Sequence, residues 1–278
     1  MKIIYAALLG LIQGLTEFLP ISSSGHLVAF QQIFNLQDID ILFDVILHVG
    51  TLVAVFVFYW QDIIQMIREF IYWLGELLGL RKPSPKNNSN GHRTMMFMII
   101  IATIPTAIIG FAFNDFFEKA FSSIKVVGFT LLLTGLLLWL SGKVSIGRKR
   151  AKDIKTRDAL TVGLFQGAAI IPGLSRSGTT IFTGLLRGFD LELATKFSFL
   201  LSIPSIIGAV ILEGRKAFIS GNSFTGIQYM LIGLVVAAVS GYFSIRYLVS
   251  LIKKNKLYYF SYYCWGVGLL IIIYSLFN

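Results

Sequence analysis

Six stretches of this chain stay apolar for 15 to 20 residues, and two more begin that way and break off. The six are FDVILHVGTLVAVFVFYW (43–60), TMMFMIIIATIPTAIIGFAF (94–113), VVGFTLLLTGLLLWL (126–140), 193–212, 226–245 and YYFSYYCWGVGLLIIIYSLF (258–277). Each is close to the roughly 20 residues a helix needs to cross hydrocarbon. The two interrupted stretches are GLIQGLTEFLPISSSG (10–25) and GLFQGAAIIPGLSRSG (163–178). In each, about a dozen mostly apolar residues run into a Pro/Gly/Ser break, and a short second half follows. Pro20 and Pro172 stop a helix by removing a donor and crowding the preceding turn. Serines after the break can cap the half-helix that comes next. Neither half is long enough to span, so each stretch predicts a re-entrant hairpin. Irregular backbone at that depth must be buried in protein or line a watery cavity.

Composition supports a membrane reading. The 278 residues are 55% hydrophobic and 14% charged, against about 25% charged in a soluble domain. Mean hydropathy is +0.76. The opening MKIIYAALLGLIQG mimics a signal peptide but lacks a small-x-small site before the serines, and is expected to remain in the mature chain. Cys264 is the single cysteine, so no internal disulfide forms; beside Trp265 it is expected to pack. The formal charge of +10 does not point to nucleic acid, because basic loops in a membrane protein are usually topological signals.

The two interrupted stretches are related. Offset by 153 without a gap, they agree at seven of sixteen positions: Gly10/Gly163, Leu11/Leu164, Gln13/Gln166, Gly14/Gly167, Ser22/Ser175, Ser24/Ser177 and Gly25/Gly178. Each half of the chain then holds one hairpin and three spans. Three is odd, so the second half sits upside-down relative to the first, as in other membrane proteins with broken helices. The fold class expected is an all-α polytopic membrane protein: six transmembrane helices plus two re-entrant helical hairpins in an inverted-topology repeat. Residues 1–278 form one integral membrane domain. The first repeat, 1–142, has hairpin 2–35 and spans 43–60, 94–113 and 124–141. The second, 156–278, has hairpin 158–188 and spans 192–213, 226–248 and 257–277.

Charge placement orients this scheme. Segments 61–93, 141–158, 187–196 and 246–256 fall on one side and carry 18 of the 24 Lys and Arg; the opposite side has five, and Arg176 lies in the second break. The bias puts both termini outside. Segment 81–93 reads as a polar linker, with His92 facing water.

An ionisable group at membrane depth is a functional candidate by default, because its cost runs from about 2.5 kcal/mol to above 10. The first break supplies Gln13 and Glu17, four apart on one helix face, then Ser22, Ser23, Ser24 and His26. The second supplies Ser175, Arg176 and Ser177. If the halves interlock, the two tips share a cavity. Half-helix N-termini bind anions, and arginine adds a planar clamp for phosphate oxygens. A serine activated by Glu17 or His26 is a nucleophile. Glu17 with Gln13 could instead hold Mg²⁺ or Ca²⁺. These are the parts for phosphoryl transfer. His48 and Asp44, at the start of span 43–60, read as interface or helix-pairing residues.

QGLTEFLPISSSGH (13–26) and PGLSRSG (172–178) resemble the two signatures of the bacterial undecaprenyl-diphosphate phosphatases of the bacitracin-resistance type, and the resemblance extends to span count and loop order. It implies hydrolysis of the terminal phosphate of a C55 polyprenyl diphosphate, recycling the carrier of cell-wall synthesis at the outer face of the plasma membrane. By position, the family's acidic motif falls on Gln13 and Glu17, its serine–histidine motif on Ser22, Ser23 and His26, and its arginine motif on Ser175 and Arg176. Many members have glutamate where this chain has Gln13; the neutral amide weakens a two-carboxylate metal site and shifts Glu17 toward activating Ser23. On this reading Ser23 attacks, Arg176 clamps the diphosphate, and Glu17 with His26 manages protons. Ser22, Ser24, Ser175, Ser177 and Gln13 hold substrate, and a divalent cation assists. The partners are the lipid substrate and the membrane. A polyprenyl-phosphate flippase or other secondary transporter is the rival, since broken inverted repeats also build transporters. A purely structural scaffold leaves Arg176 and Glu17 unexplained.

The charge asymmetry makes a topological prediction. In a Cys264→Ala background, Arg150→Cys and Asn278→Cys should label oppositely with an impermeant thiol reagent in intact cells. Equal labelling from outside would overturn the inverted arrangement.

Overall fold

The computed structural model describes residues 3–34, 36, 41–81, 91–145, 147–219, 226–252 and 256–277. Among these, twelve α-helices carry the chain: α1 (Ile3–Phe18), α2 (Ser23–Ile33), α3 (Ile41–Phe58), α4 (Trp60–Leu77), α5 (Gly91–Ala112), α6 (Asn114–Phe121), α7 (Ile124–Ser141), α8 (Thr156–Ala168), α9 (Arg176–Leu186), α10 (Leu191–Ile219), α11 (Ile227–Ile252) and α12 (Phe260–Phe277). Five segments are long and apolar enough to cross a membrane by themselves: α5, α7, the stretch 191–216 of α10, α11, and 257–277 around α12. The protein is a multi-pass membrane protein.

The sixth expected span, 43–60, ends differently. Helix α3 turns into α4 through 83° at Tyr59, so the pair counts as one span only if taken together. Segment 61–93, expected as a loop, therefore begins with a helix of 18 residues. Its apolar residues recur at helical spacing rather than in one run, with Ile63 buried and Arg68, Glu69 and Glu76 interspersed. An apolar stripe beside a charged face is the pattern of a helix lying along a surface. His92 also departs from expectation. It is half-exposed, and its Nε2 lies 3.2 Å from Asp62 on α4, which Lys196 also reaches at 3.0 Å.

Both interrupted stretches form the paired half-helices expected of them. Helices α2 and α9 have 11 residues each and start at Ser23 and Arg176, 153 positions apart. Their N-caps match: Ser22 Oγ accepts from Gly25 N at 3.2 Å, and Ser175 Oγ from Gly178 N at 3.1 Å. The repeated glycines explain how the preceding halves dock. A Cβ on Gly14 would fall 2.6 Å from Ala237 O, and one on Gly10 would also strike the α11 backbone. A Cβ on Gly163 or Gly167 would strike Ala102 and Pro105, or Ile109, on α5. Small residues four apart thus let α1 lie against α11 and α8 against α5.

Hydroxyls of α7 bond the backbone of the second break, and hydroxyls of α11 and α5 bond carbonyls of the half-helices α1 and α8. Thr134 Oγ donates to Gly173 O at 2.9 Å and accepts from Ser175 N at 3.0 Å, while Thr130 donates to Pro172 O at 2.5 Å. Ser244 donates to Leu15 O, and Thr106 to Gly163 O, both at 2.8 Å. Non-helical backbone at membrane depth is tolerated on such terms. Cys264 packs as expected, fully buried, with its Sγ 3.8 Å from Pro20 O.

At the base of the second hairpin, the buried Asp158 carboxylate accepts from Lys149 Nζ at 2.8 Å and from the Arg187 guanidinium at 2.9 Å. The cluster ties the start of α8 to the end of α9 and to the basic segment before them. Removing one member of a buried pair leaves the others uncompensated. Both cations are partly exposed, which moderates the cost. Asp158→Asn should destabilise the folded protein by about 2 kcal/mol, read as a lowered thermal midpoint in detergent; an unchanged midpoint would make the cluster incidental.

Candidate active site

Glu17 lies in the last turn of α1, where Pro20 is about to end the helix, so its carboxylate points into the gap between the two breaks. It is almost completely buried. Its Oε1 accepts a charge-assisted hydrogen bond from Arg176 Nη2, across 159 residues of sequence. Its Oε2 accepts from Ser23 Oγ at 2.5 Å and from Gln13 Nε2 at 3.0 Å. His48 Nε2 stands 3.7 Å from the same oxygen. One carboxylate thus gathers a serine, an arginine, an amide and an imidazole.

Arg176 is the first residue of α9, held there by the Ser175 cap. Its second arm, Nη1, is buried and makes no hydrogen bond. A buried guanidinium N–H without an acceptor is costly unless something fills the place. A phosphate oxygen is the acceptor best matched to that planar fork. Thr179 Oγ, one turn further along α9, is also buried and unpartnered.

The other expected site residues lie in the same two breaks but bond differently. Ser22 and Ser175 accept from helix N–H groups as caps, with Ser24 Oγ and Ser177 Oγ each 3.3 Å from its partner cap. Ser22 has φ of 69°, the left-handed region where a non-glycine residue is strained. His26 does not bond to Glu17. Its Nδ1 is 2.7 Å from Ser22 O and its Nε2 2.8 Å from the Tyr263 hydroxyl, with the two rings stacked. Because a carbonyl only accepts, Nδ1 carries the proton and Nε2 accepts from the tyrosine.

Three residues belong with the site beyond those expected from the breaks. His48, read from sequence as a pairing residue, reaches Glu17 because α3 packs beside α1 and α11. Its Nδ1 faces the Asp44 carbonyl at 2.7 Å, so its Nε2 attracts the carboxylate only when it too bears a proton. Asp44 itself is held by Gln31 of α2 at 2.9 Å. Thr179 had a signal: at offset 153 it is the counterpart of His26. Tyr263 had none, being one of several tyrosines in an apolar run.

Residues 6–270 match the family of the bacitracin resistance protein BacA. The chain belongs to the BacA family. It is similar over 98% of both lengths to the undecaprenyl-diphosphatases of Alkaliphilus metalliredigens, at 48% identity, and of Halothermothrix orenii, at 46%. It is also 40% identical to the undecaprenyl-diphosphatase of Methanobrevibacter smithii over 99% of each chain.

The oxygens that could hold a Mg²⁺ or Ca²⁺ in this BacA-family site are those of Glu17 and Gln13, whose Oε1 is buried and without a hydrogen-bond partner. Hard cations need several free oxygen ligands. Arg176, Ser23 and Gln13 each bond the Glu17 carboxylate, and among the described residues no three acidic, His or Cys side chains converge.

The free arm of Arg176 makes the site's first prediction. Arg176→Lys keeps the charge but cannot bond Glu17 and a phosphate at once through a planar fork. Turnover should fall by about 10²–10³, the loss typical of one transition-state donor, in a phosphate-release assay. Near-normal release would exclude the bidentate arrangement.

Proposed function

We propose that this chain hydrolyses undecaprenyl diphosphate to undecaprenyl phosphate and inorganic phosphate, returning the lipid carrier to cell-wall synthesis and so conferring resistance to bacitracin. The observation that carries the reading is the contact of Ser23 with Glu17 beside a half-free Arg176. Family membership and relatives named undecaprenyl-diphosphatase support the substrate.

The chemistry proceeds in two displacements. The terminal phosphate enters between the half-helix N-termini and engages Arg176 Nη1. Its charge competes with Glu17 for the guanidinium, which frees the carboxylate to take the Ser23 proton. Ser23 Oγ then attacks the terminal phosphorus, and the bond to the bridging oxygen breaks to release the lipid monophosphate. Water next attacks the phosphoserine, giving up a proton to the site and restoring the serine. His48, about 30% exposed beside Glu17, holds or passes that proton. His26, locked by Tyr263, orients the serine turn, and Ser22, Ser24, Ser175, Ser177 and Gln13 line the phosphate's place. A divalent cation, if used, arrives on the diphosphate as part of the substrate.

The proposal includes orientation. The two halves, 1–142 and 156–278, are inverted repeats, with both termini and the mouth of the site at the outer face. The exchanged packing of α1 on α11 and α8 on α5, the matching caps and the charge bias support this.

Ser23→Ala and Glu17→Gln should each nearly abolish phosphate release in detergent, where transport has no second compartment, while substrate binding survives. The double variant should be little worse than either single one, because members of one catalytic unit are strongly non-additive. Multiplicative losses would separate the two residues, and robust activity in Ser23→Ala would pass the attack to water or to His26.

A further inference from the structure

A polar cavity of about 600 Å³ lies away from both breaks, between the start of α4, the start of α5 and the second turn of α10. Arg68, His92 and Lys196 line it, and Asp62 is the acid in its wall. The Asp62 carboxylate is shared, with Oδ1 3.2 Å from His92 Nε2 and 3.0 Å from Lys196 Nζ. One carboxylate therefore faces an ammonium, a guanidinium and an imidazole, and the wall keeps a surplus of positive charge. The cavity is separate from the catalytic carboxylate. Phe18 and Tyr59, both buried, each pack on the buried Phe199, with ring centroids 5.2 and 6.2 Å apart. These rings join the residue after Glu17 to the residue before Trp60, so apolar packing lies between the two sites.

Helix spacing sorts the α4 side of the cavity into two rows. Gln61, Gln65 and Arg68, which all line it, are four and three apart and share one face. Trp60 and Ile64 also line it, and they begin an adjoining apolar row that continues through Ile67 and Ile71. Trp60 is 61% exposed, Ile67 52% and Ile71 58%. The first row offers amide and guanidinium donors beside Lys196. The second leaves the cavity and runs along the outside of the helix, where it meets hydrocarbon if α4 lies along the membrane surface.

We infer that this cavity binds the phosphodiester headgroup of an anionic bilayer lipid, on the membrane face opposite the proposed mouth of the catalytic site. Basic pockets between membrane helices hold such headgroups. Arg68 and Lys196 approach the phosphate oxygens, the guanidinium through its planar fork, and Gln61 and Gln65 donate beside them. Trp60 sits at headgroup level, where its amphipathic ring belongs, and Ile67 and Ile71 lie among the acyl tails. A free phosphate would use the first row alone. The apolar row running out of the same cavity is what a ligand with acyl chains adds, and it favours the lipid.

The test titrates full-length protein, delipidated in a neutral detergent, with phosphatidylglycerol and reads retained lipid by native mass spectrometry. Arg68→Gln and Lys196→Gln should each weaken retention about fivefold, the worth of one basic residue at an anionic lipid surface. Arg246→Gln removes an exposed charge from the end of α11, assigned by the charge bias to the same face, and should leave retention unchanged. Equal losses in all three would reduce the effect to overall charge and overturn the cavity. Equal retention of zwitterionic phosphatidylcholine would overturn the anionic headgroup. Displacement of the lipid by equimolar inorganic phosphate would assign the cavity to the phosphate group alone and overturn the lipid. Lys196→Gln takes one partner from Asp62; if it fails to fold, Arg68→Gln, on an exposed side chain, decides the matter. The readout needs no turnover, so its result is independent of the phosphatase reading.

Discussion

The ion pair between Glu17 and Arg176 is the constraint on which the rest of the structure depends. Each charge alone would be costly at membrane depth, and each sits at the end of a half-helix that could not cross by itself. Joined, they neutralise one another and tie together two residues 159 apart in sequence, one beside each break. The surrounding helices serve that meeting point. Glycines at 10, 14, 163 and 167 let α1 and α8 come close to α11 and α5, and threonines 130 and 134 bond the irregular backbone of the second break. A buried pair of this kind is weak evidence for stability. Its value here is positional, since it brings a serine, a carboxylate and a guanidinium together.

The pair also carries a tension that suits a diphosphate enzyme. Glu17 has neighbours on both oxygens, whereas Arg176 has an unused arm. Gln13 Oε1, on the turn before Glu17, is likewise buried without a partner. On the proposed mechanism an arriving phosphate satisfies the arginine and loosens its hold on the carboxylate, so binding and activation of the serine are coupled through one guanidinium. The repeat contributes unequally to this. At equivalent positions Ser23 corresponds to Arg176 and Glu17 to Ile170, so the proposed nucleophile and base come from one break and the proposed clamp from the other. The shared features, the Ser22 and Ser175 caps and the paired glycines, are the ones that build the hairpins.

Much of this was legible in the chain by itself. Hydropathy located five long apolar helices, among them α7 at 124–141. Proline and serine located the breaks, and the internal offset of 153 predicted the matched starts of α2 and α9. Those features are local: hydrocarbon length, a missing donor and a capping hydroxyl act on residues close in sequence. The same holds for the chemistry inside each break, where Gln13, Glu17 and Ser23 are neighbours on adjoining turns. Tertiary structure decided the rest. The turn at Tyr59 made a helix of a segment that reads as a loop, because α4 has charged residues enough to hide its period from a hydropathy scan. His48 reached Glu17, and His26 turned away to Tyr263 across 237 residues. Such pairings depend on how helices cross and rotate, and no stretch of neighbouring residues encodes that.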